Sequence, residues 1–102
     1  MDKEKFKKEA LQTIDKLFAM IDELEEKKAK IEEKKGEAYD QLKEEYDEKM
    51  AELKLKKEDL MMKYRKLQDS ADDEWDDVKM AFSAASESFK DGFSKLASIF
   101  KN

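Results

Sequence analysis

The sequence contains no cysteine, no histidine and no proline, and it has only two glycines among 102 residues. Without cysteine there is no disulfide, thiolate nucleophile or zinc–thiolate site, and without histidine the commonest metal ligand and general base is missing. We therefore expect a non-enzymatic protein with no catalytic residue, no metal site, no cofactor and no small-molecule substrate. Because residues that break helices are almost absent, the composition favours long helices.

Long apolar runs and continuous basic runs are also absent. No stretch approaches the roughly 18 consecutive apolar residues of a membrane-spanning helix, and the N-terminal segment alternates charges where a signal peptide would be apolar. A cytoplasmic location is therefore expected. Glu58 and Asp59 interrupt the most basic segment, Lys54–Lys66, so we expect no nucleic-acid partner.

Charged residues dominate what is present, at 48% of the chain, with a net charge of -5 and a mean hydropathy of -1.01. The negative charge is concentrated in residues 69–102, which carry four basic and eight acidic side chains. Such a composition could indicate disorder. The charge signs are mixed, however, and large apolar residues recur regularly, which favours a folded helical chain.

The apolar residues follow alternating steps of four and three, which is a heptad seam. Lys28 and Lys35 occupy two of its positions, and they predict a narrow contact in the middle of the chain because long side chains must reach water there. Two stutters, which relax a coiled coil locally, come where a step of four replaces a step of three: from Leu42 to Tyr46, and from Ala71 to Trp75 after the four-residue step from Leu67. The seam comprises Ala10, Ile14, Leu17, Ile21, Leu24, Lys28, Ile31, Lys35, Ala38, Leu42, Tyr46, Met50, Leu53, Lys57, Leu60, Tyr64, Leu67, Ala71, Trp75, Val78, Phe82, Ala85, Phe89, Gly92, Leu96 and Ile99.

Two joints could divide this pattern. Lysines precede Gly36 as they would at a helix C-terminus, and Asp69 or Ser70 could cap a new helix. Three segments of about 30 residues would suit an up-down bundle, whereas the unchanged heptad phase through Gly36 favours a continuous helix. We predict an all-α protein with long helices in an elongated coiled coil or helical bundle, with candidate joints near Gly36 and Asp69–Ala71, and chain reversal at either joint stays open.

We treat residues 1–68 as a charged heptad region and residues 69–102 as an acidic joint followed by an aromatic amphipathic helix, together one structural unit. Helical winding of the last segment places its large apolar residues on one face, too large to remain bare in a monomer. That face could pack on the rest of the chain or on a copy of it, with Leu11 and Phe18 widening the acceptor face of the first helix. Its serine-rich opposite side also suits a helix that binds lipid surfaces.

The acidic stretch "DSADDEWDD" from Asp69 to Asp77 does not match a calcium-binding EF-hand loop. Counting from Asp69, the third, sixth and twelfth positions are Ala71, Glu74 and Met80, where that loop needs an oxygen ligand, a glycine and a glutamate. Weak binding of hydrated Mg²⁺ or Ca²⁺ is one interpretation. The better interpretation is that these acidic side chains lie near the start of a helix and interact favourably with the positive end of its dipole.

The segment from Ala38 to Phe100 resembles small bacterial coiled-coil proteins labelled as stress-response or hypothetical coiled-coil proteins. In that pattern a Glu/Lys-rich coil leads through a Ser-Asp-Glu-Ala-Trp-like element into an amphipathic tail that ends in aromatic residues. The positions that carry the likeness are Ser70 to Trp75, Phe82, Phe89, Leu96 and Phe100. The resemblance implies a cytoplasmic, non-catalytic, self-associating helical protein with a stress-related role.

We therefore expect a structural or scaffold protein that forms homo-oligomers. The alternative is a peripheral membrane-surface protein that binds lipid through its C-terminal helix. The predicted self-association face consists of Ile14, Leu17, Ile21, Leu24, Leu53, Leu60, Leu67, Trp75, Val78, Phe82, Phe89, Phe93, Leu96 and Phe100.

Overall fold

The protein is an elongated bundle of antiparallel helices, seen in a computed structural model that describes residues 3–100. The described part contains α1 (Lys3–Glu32), α2 (Glu37–Asp69) and α3 (Trp75–Ala97), with 3-10 helices at Asp72–Glu74 and Ser98–Phe100 and no strand. Its principal extents are 56 × 19 × 18 Å. The prediction of an all-α bundle of long helices is confirmed, and the chain reverses at both candidate joints.

The helices α1 and α2 run antiparallel. Near the start of α1, the amino group of Lys7 donates to the carbonyl oxygen of Gln68 at 3.5 Å, close to the end of α2. Near the end of α1, Lys28 lies 3.2 Å from a carboxylate oxygen of Asp47. Residues far apart in sequence therefore face each other along the whole hairpin.

The third helix, α3, runs parallel to α1 and completes a three-helix bundle. The rings of Phe6 and Trp75 lie edge to face with centroids 5.7 Å apart, and those of Phe18 and Phe89 are 6.2 Å apart. Both pairs advance along the two helices in the same direction. With 23 residues, α3 is shorter than α1 and α2, which have 30 and 33, and 3-10 helices precede and follow it.

The first reversal needs only residues 33–36. Gly36 has φ 131° and ψ 157°, a backbone conformation that a side chain disfavours, which explains glycine here. The amino group of Lys43 lies 3.4 Å from the carbonyl oxygen of Glu32 and 3.1 Å from that of Lys34. A cation thus satisfies carbonyl groups at the negative end of α1. The continuous helix suggested by the heptad phase is not formed.

The second reversal begins with extended backbone at Ser70 and Ala71. The Ser70 hydroxyl donates to the carbonyl oxygen of Leu67 at 3.2 Å, so this side chain closes α2. Neither Asp69 nor Ser70 caps the following helix as expected, because α3 begins only at Trp75, after the 3-10 turn. Ala71 is exposed, and the step that resembled a stutter is a break between helices.

The core is a single row of apolar layers between the three helices. Each helix contributes residues at heptad spacing, and the seam therefore describes an intramolecular core. The buried apolar residues are Ala10, Ile14, Leu17, Ile21, Leu24, Tyr46, Met50, Leu53, Leu60, Leu67, Trp75, Phe82, Ala85, Phe89, Leu96 and Ile99.

Candidate interaction surface

The structure brings the residues of the predicted self-association face together inside the chain. Eleven of them are buried: Ile14, Leu17, Ile21, Leu24, Leu53, Leu60, Leu67, Trp75, Phe82, Phe89 and Leu96. The other three, Val78, Phe93 and Phe100, are half-buried and pack against the same core. In this fold these side chains, which come from all three helices, pack against one another within one chain. Their contact with a second copy remains a prediction.

The aromatic side chains form contacts that the heptad pattern predicts only in part. Phe18 meets Phe89, as expected from its place beside the seam, whereas Leu11 is 45% exposed and takes no part in the core. Phe6 was missed: its ring contacts both Trp75 and Phe82. The alternation of four and three extends back from Ala10 to Lys7, so Phe6 lies beside the seam, four residues before Ala10, just as Phe18 lies four residues after Ile14.

Lysine side chains close the edges of this core. Lys3 lies 5.4 Å from the centroid of the Trp75 ring, and Lys57 lies 4.5 Å from that of Phe18. Both arrangements leave the ammonium group near water while the stem covers apolar surface. The seam lysine at position 57 is thus compatible with the core because it lies at its rim.

The α2–α3 interface is the most extensive in the bundle, and α3 presents Gly92 there. A Cβ atom at that position would lie 3.3 Å from Cδ1 of Leu53 and 3.2 Å from Cδ of Lys56. The amino group of Lys56 also donates to the carbonyl oxygen of Ser88 at 3.1 Å. Gly92 and this hydrogen bond therefore contribute to the close packing of α2 against α3.

The bundle has three layers along most of its length but only two at the end near Gly36. The last buried residue of α1 is Leu24, and the first buried residue of α2 is Tyr46, whose ring lies 5.7 Å from that of Phe100 at the end of the described chain. Beyond this level, towards Gly36, α1 and α2 continue as a hairpin for about 14 Å at the helical rise. We call residues 28–46 the two-helix tip.

The apolar side chains of the two-helix tip are incompletely covered. Ile31 and Leu42 are half-buried, Tyr39 is 38% exposed and Ala38 is exposed. Ile31, Ala38 and Leu42 belong to the heptad seam, which makes them the only stretch of the seam in the described residues that lacks a third helix. The lysines at seam positions 28 and 35 had predicted a loose contact in this region.

Charged and polar groups surround the base of the two-helix tip. Lys28 contacts Glu32 at 2.6 Å, and this hydrogen bond is the main cause of a raised pKa of the Lys28 ammonium, with Asp47 adding to it. The same ammonium lies 5.4 Å from the centroid of the Tyr46 ring. Burial raises the pKa of the Tyr46 hydroxyl, which has no hydrogen-bond partner among the described residues.

The acidic stretch before α3 is exposed apart from Ser70 and Trp75. Asp72 forms an ion pair with Lys3, and the hydrogen bond from that ammonium lowers the pKa of the Asp72 carboxyl. Within residues 3–100 no group of three or more acidic side chains could hold a metal ion. The stretch joins α2 to α3 and attaches the start of α1 to that joint.

An open cleft of about 230 Å³ lies between α1 and α3. Phe6 and Phe82 form part of its lining, together with Ser86 and the charged residues Glu87 and Lys90. The Ser86 hydroxyl is buried and makes no hydrogen bond in the described part of the chain, so nothing there activates it as a nucleophile.

The amphipathic face of α3, which had suggested a lipid surface, lies in the core. Contact with lipid would require Phe82 and Phe89 to leave sites where they are 4% and 0% exposed. No helix in the described residues is long and apolar enough to cross a membrane.

Comparison of the chain with models of protein families, with curated proteins and with solved structures gave no match. The resemblance to bacterial coiled-coil proteins therefore remains an expectation from the sequence.

Proposed function

We propose that this chain is a non-catalytic structural or scaffold protein that self-associates, and that the two-helix tip is where the copies meet. One observation carries the proposal: the heptad seam continues through Ile31, Ala38 and Leu42 beyond the end of the three-helix core. An apolar seam is stabilised by burial, and here the chain itself buries it only in part.

The other surfaces offer less support for a function. The α1–α3 cleft contains no activated nucleophile, and the remaining large apolar residues with high exposure, such as Leu55 and Met80, lie on the outer sides of different helices. Single exposed apolar side chains are normal on soluble domains. Binding of a second copy at the two-helix tip would instead continue a pattern already present in the core.

The lipid-binding alternative has weaker support, because the face that it needs already packs in the core. A stress-related role rests on the sequence resemblance alone.

The test compares alanines at two exposed positions of α2. Ala38 lies in the seam of the two-helix tip, whereas Ala51 lies on the outer side of the same helix. We expect Ala38→Lys to weaken dimerisation about tenfold or more, because it places a charge in the apolar contact, and Ala51→Lys to leave dimerisation unchanged.

The measurement is solution mass by light scattering over a wide range of protein concentration, with helicity measured by circular dichroism for each variant. Masses above 12.0 kDa that rise with concentration are expected for the wild-type chain. A mass of one chain at every concentration would refute self-association. Equal effects of the two substitutions would refute the tip as the contact.

A further inference from the structure

We propose that two copies associate by exchanging α1, with the turn at residues 33–36 straightening so that α1 and α2 become one long helix. This inference rests on the proposed self-association and specifies its partner and its geometry. In the exchanged dimer, α1 of each copy packs on the α2–α3 pair of the other copy. The two-helix tips then open, and at the centre of the dimer the α1 part of each tip lies antiparallel to the α2 part of the other copy's tip.

The seam positions support the exchange because they are placed symmetrically about Gly36. Counting outward from the turn, each seam residue of α1 has a seam residue of α2 at nearly the same distance. The structure shows one such pair in contact, since the Lys28 ammonium lies over the Tyr46 ring. The successive pairs are Lys35 and Ala38, Ile31 and Leu42, Lys28 and Tyr46, Leu24 and Met50, Ile21 and Leu53.

The innermost pair has no role in the hairpin. Lys35 lies in the turn and Ala38 is exposed, although both keep the heptad phase. In a straight helix of residues 3–69, the same two positions would continue the seam across the centre of an antiparallel dimer. The unchanged phase through Gly36, which has no use in a hairpin, is what an exchanged dimer requires.

The turn is built so that it can straighten. Glutamate and lysine fill positions 32–35 and position 37, and both are good helix formers. Gly36 is the one residue in the turn with positive φ, and no side chain caps the start of α2. The polar contacts that hold the turn closed include two from the Lys43 ammonium, which is exposed to solvent competition.

The element that moves is α1 because α2 and α3 form the tighter pair. Gly92 lets α3 approach Leu53 and Lys56 so closely that an alanine would require both side chains to shift slightly. By contrast, α1 meets α3 through large aromatic side chains, such as Phe6 and Phe18. Exchange keeps every one of these contacts, since each is re-formed with the other copy.

The area needed for a stable dimer also favours exchange over simple contact between two tips. Stable interfaces usually involve about 20–30 residues on each side. The two-helix tip offers only Ile31, Ala38, Tyr39 and Leu42 as apolar contacts, whereas the exchanged α1 has 30 residues. Exchange therefore supplies a large interface from a surface that already fits.

The first test places one cysteine in each of two otherwise wild-type chains, which is clean because the sequence has none. Lys3 and Asp72 are ion-paired between α1 and the joint before α3. A Lys3→Cys chain and an Asp72→Cys chain are mixed, unfolded, refolded together and treated with a short bis-maleimide. Exchange predicts a cross-linked product of twice the chain mass that contains one copy of each variant.

The control replaces Ala19, an exposed residue of α1 about 24 Å along the helix from Lys3. An Ala19→Cys chain mixed with the Asp72→Cys chain should give little product. Dimers without the 3–72 cross-link would overturn the exchange and leave self-association standing. Equal cross-linking with the control would also overturn it.

The second test adds one methyl group to residue 36 and compares the two chiralities at its Cα atom, L-alanine and D-alanine. L-alanine at position 36 is strained in the closed turn and favours the straight helix, so Gly36→Ala should lower the dimer Kd by about a thousandfold or more, counting both turns. D-alanine in a synthetic chain fits the positive φ and disfavours the right-handed helix, so it should raise the Kd. If the L-alanine and D-alanine chains both remain monomeric at high concentration, the exchange is overturned. If the wild-type chain is monomeric as well, self-association is also refuted.

Discussion

The contact of Gly92 with α2 gives a prediction whose size follows from the structure. In an open helix, glycine to alanine stabilises by about 1 kcal/mol. At position 92 the new Cβ would meet Leu53 and Lys56 at 3.3 and 3.2 Å, closer than ordinary van der Waals contact. Leu53 is 1% exposed and has little room to move, so the crowding should offset the gain.

We expect Gly92→Ala to change the free energy of unfolding by less than about 0.5 kcal/mol, because the two effects nearly cancel. Gly92→Leu should destabilise the bundle by about 1–3 kcal/mol through overpacking. In a Lys56→Ala background one of the two contacts disappears. Gly92→Ala should then recover about 0.5 kcal/mol or more of the helical gain, which appears as a coupling energy between the sites.

Urea denaturation at pH 7 measures these changes, followed by circular dichroism and by the fluorescence of Trp75. This residue is the single tryptophan and is 1% exposed, so it reports directly on the core. Ala84→Gly is the matched control, because Ala84 is exposed on α3. This substitution should lower the free energy of unfolding by about 1 kcal/mol, the difference in helix propensity between alanine and glycine. If Gly92→Ala stabilises by as much as Ala84→Gly destabilises, α2 and α3 do not approach as closely as described.

Two further predictions concern the core. Phe89→Ala should lower the free energy of unfolding by about 3–5 kcal/mol in urea denaturation, because Phe89 is 0% exposed; a loss below about 1 kcal/mol would contradict its central position. Burial raises the pKa of the Tyr46 hydroxyl, so the folded chain holds this proton more tightly than the unfolded chain does. The resulting contribution to the free energy of unfolding is present below pH about 10 and is lost as the pH rises further. Tyr46→Phe should therefore reduce the loss of stability above pH 10 in thermal unfolding, and it should not lower stability at pH 7, because its hydroxyl has no hydrogen-bond partner in the described part of the chain. Tyr39→Phe, at an exposed tyrosine, is the control, and an equal effect of both substitutions would contradict this reasoning.

Much of the fold follows from local pattern. The four-three spacing identified the buried positions of all three helices, including Trp75 at the start of α3. The lysines in the seam were also informative. Lys57 lies at the rim of the core, and Lys28 marks the level at which the third layer ends.

The chain reversals were harder to predict because the seam is compatible with both outcomes. Gly36 supports a turn by its freedom at positive φ, but it costs only about 1 kcal/mol inside a helix, so its presence does not distinguish them. The cap expected at Asp69 or Ser70 was displaced because a 3-10 turn precedes Trp75. Such boundaries depend on which side chains the neighbouring helices offer, as Lys3 and Lys7 do here.

The exposure of the two-helix tip also depends on tertiary contacts, as the helix boundaries do. Residues from Ile31 to Leu42 have the spacing of core residues, and nothing local to them indicates that α3 ends before it reaches them. Their exposure depends on how far α3 extends along the hairpin, which is a property of the packed bundle.

The heptad pattern by itself decides that the chain is helical and which face of each helix is buried, since both depend on spacing within a few turns. It does not decide what buries that face. The hydrophobic effect is non-directional, so a seam gains about the same free energy against its own chain as against another copy. Only the packed structure, with a reversal at Gly36 and a close contact at Gly92, places α1, α2 and α3 around one core and leaves the two-helix tip incompletely covered.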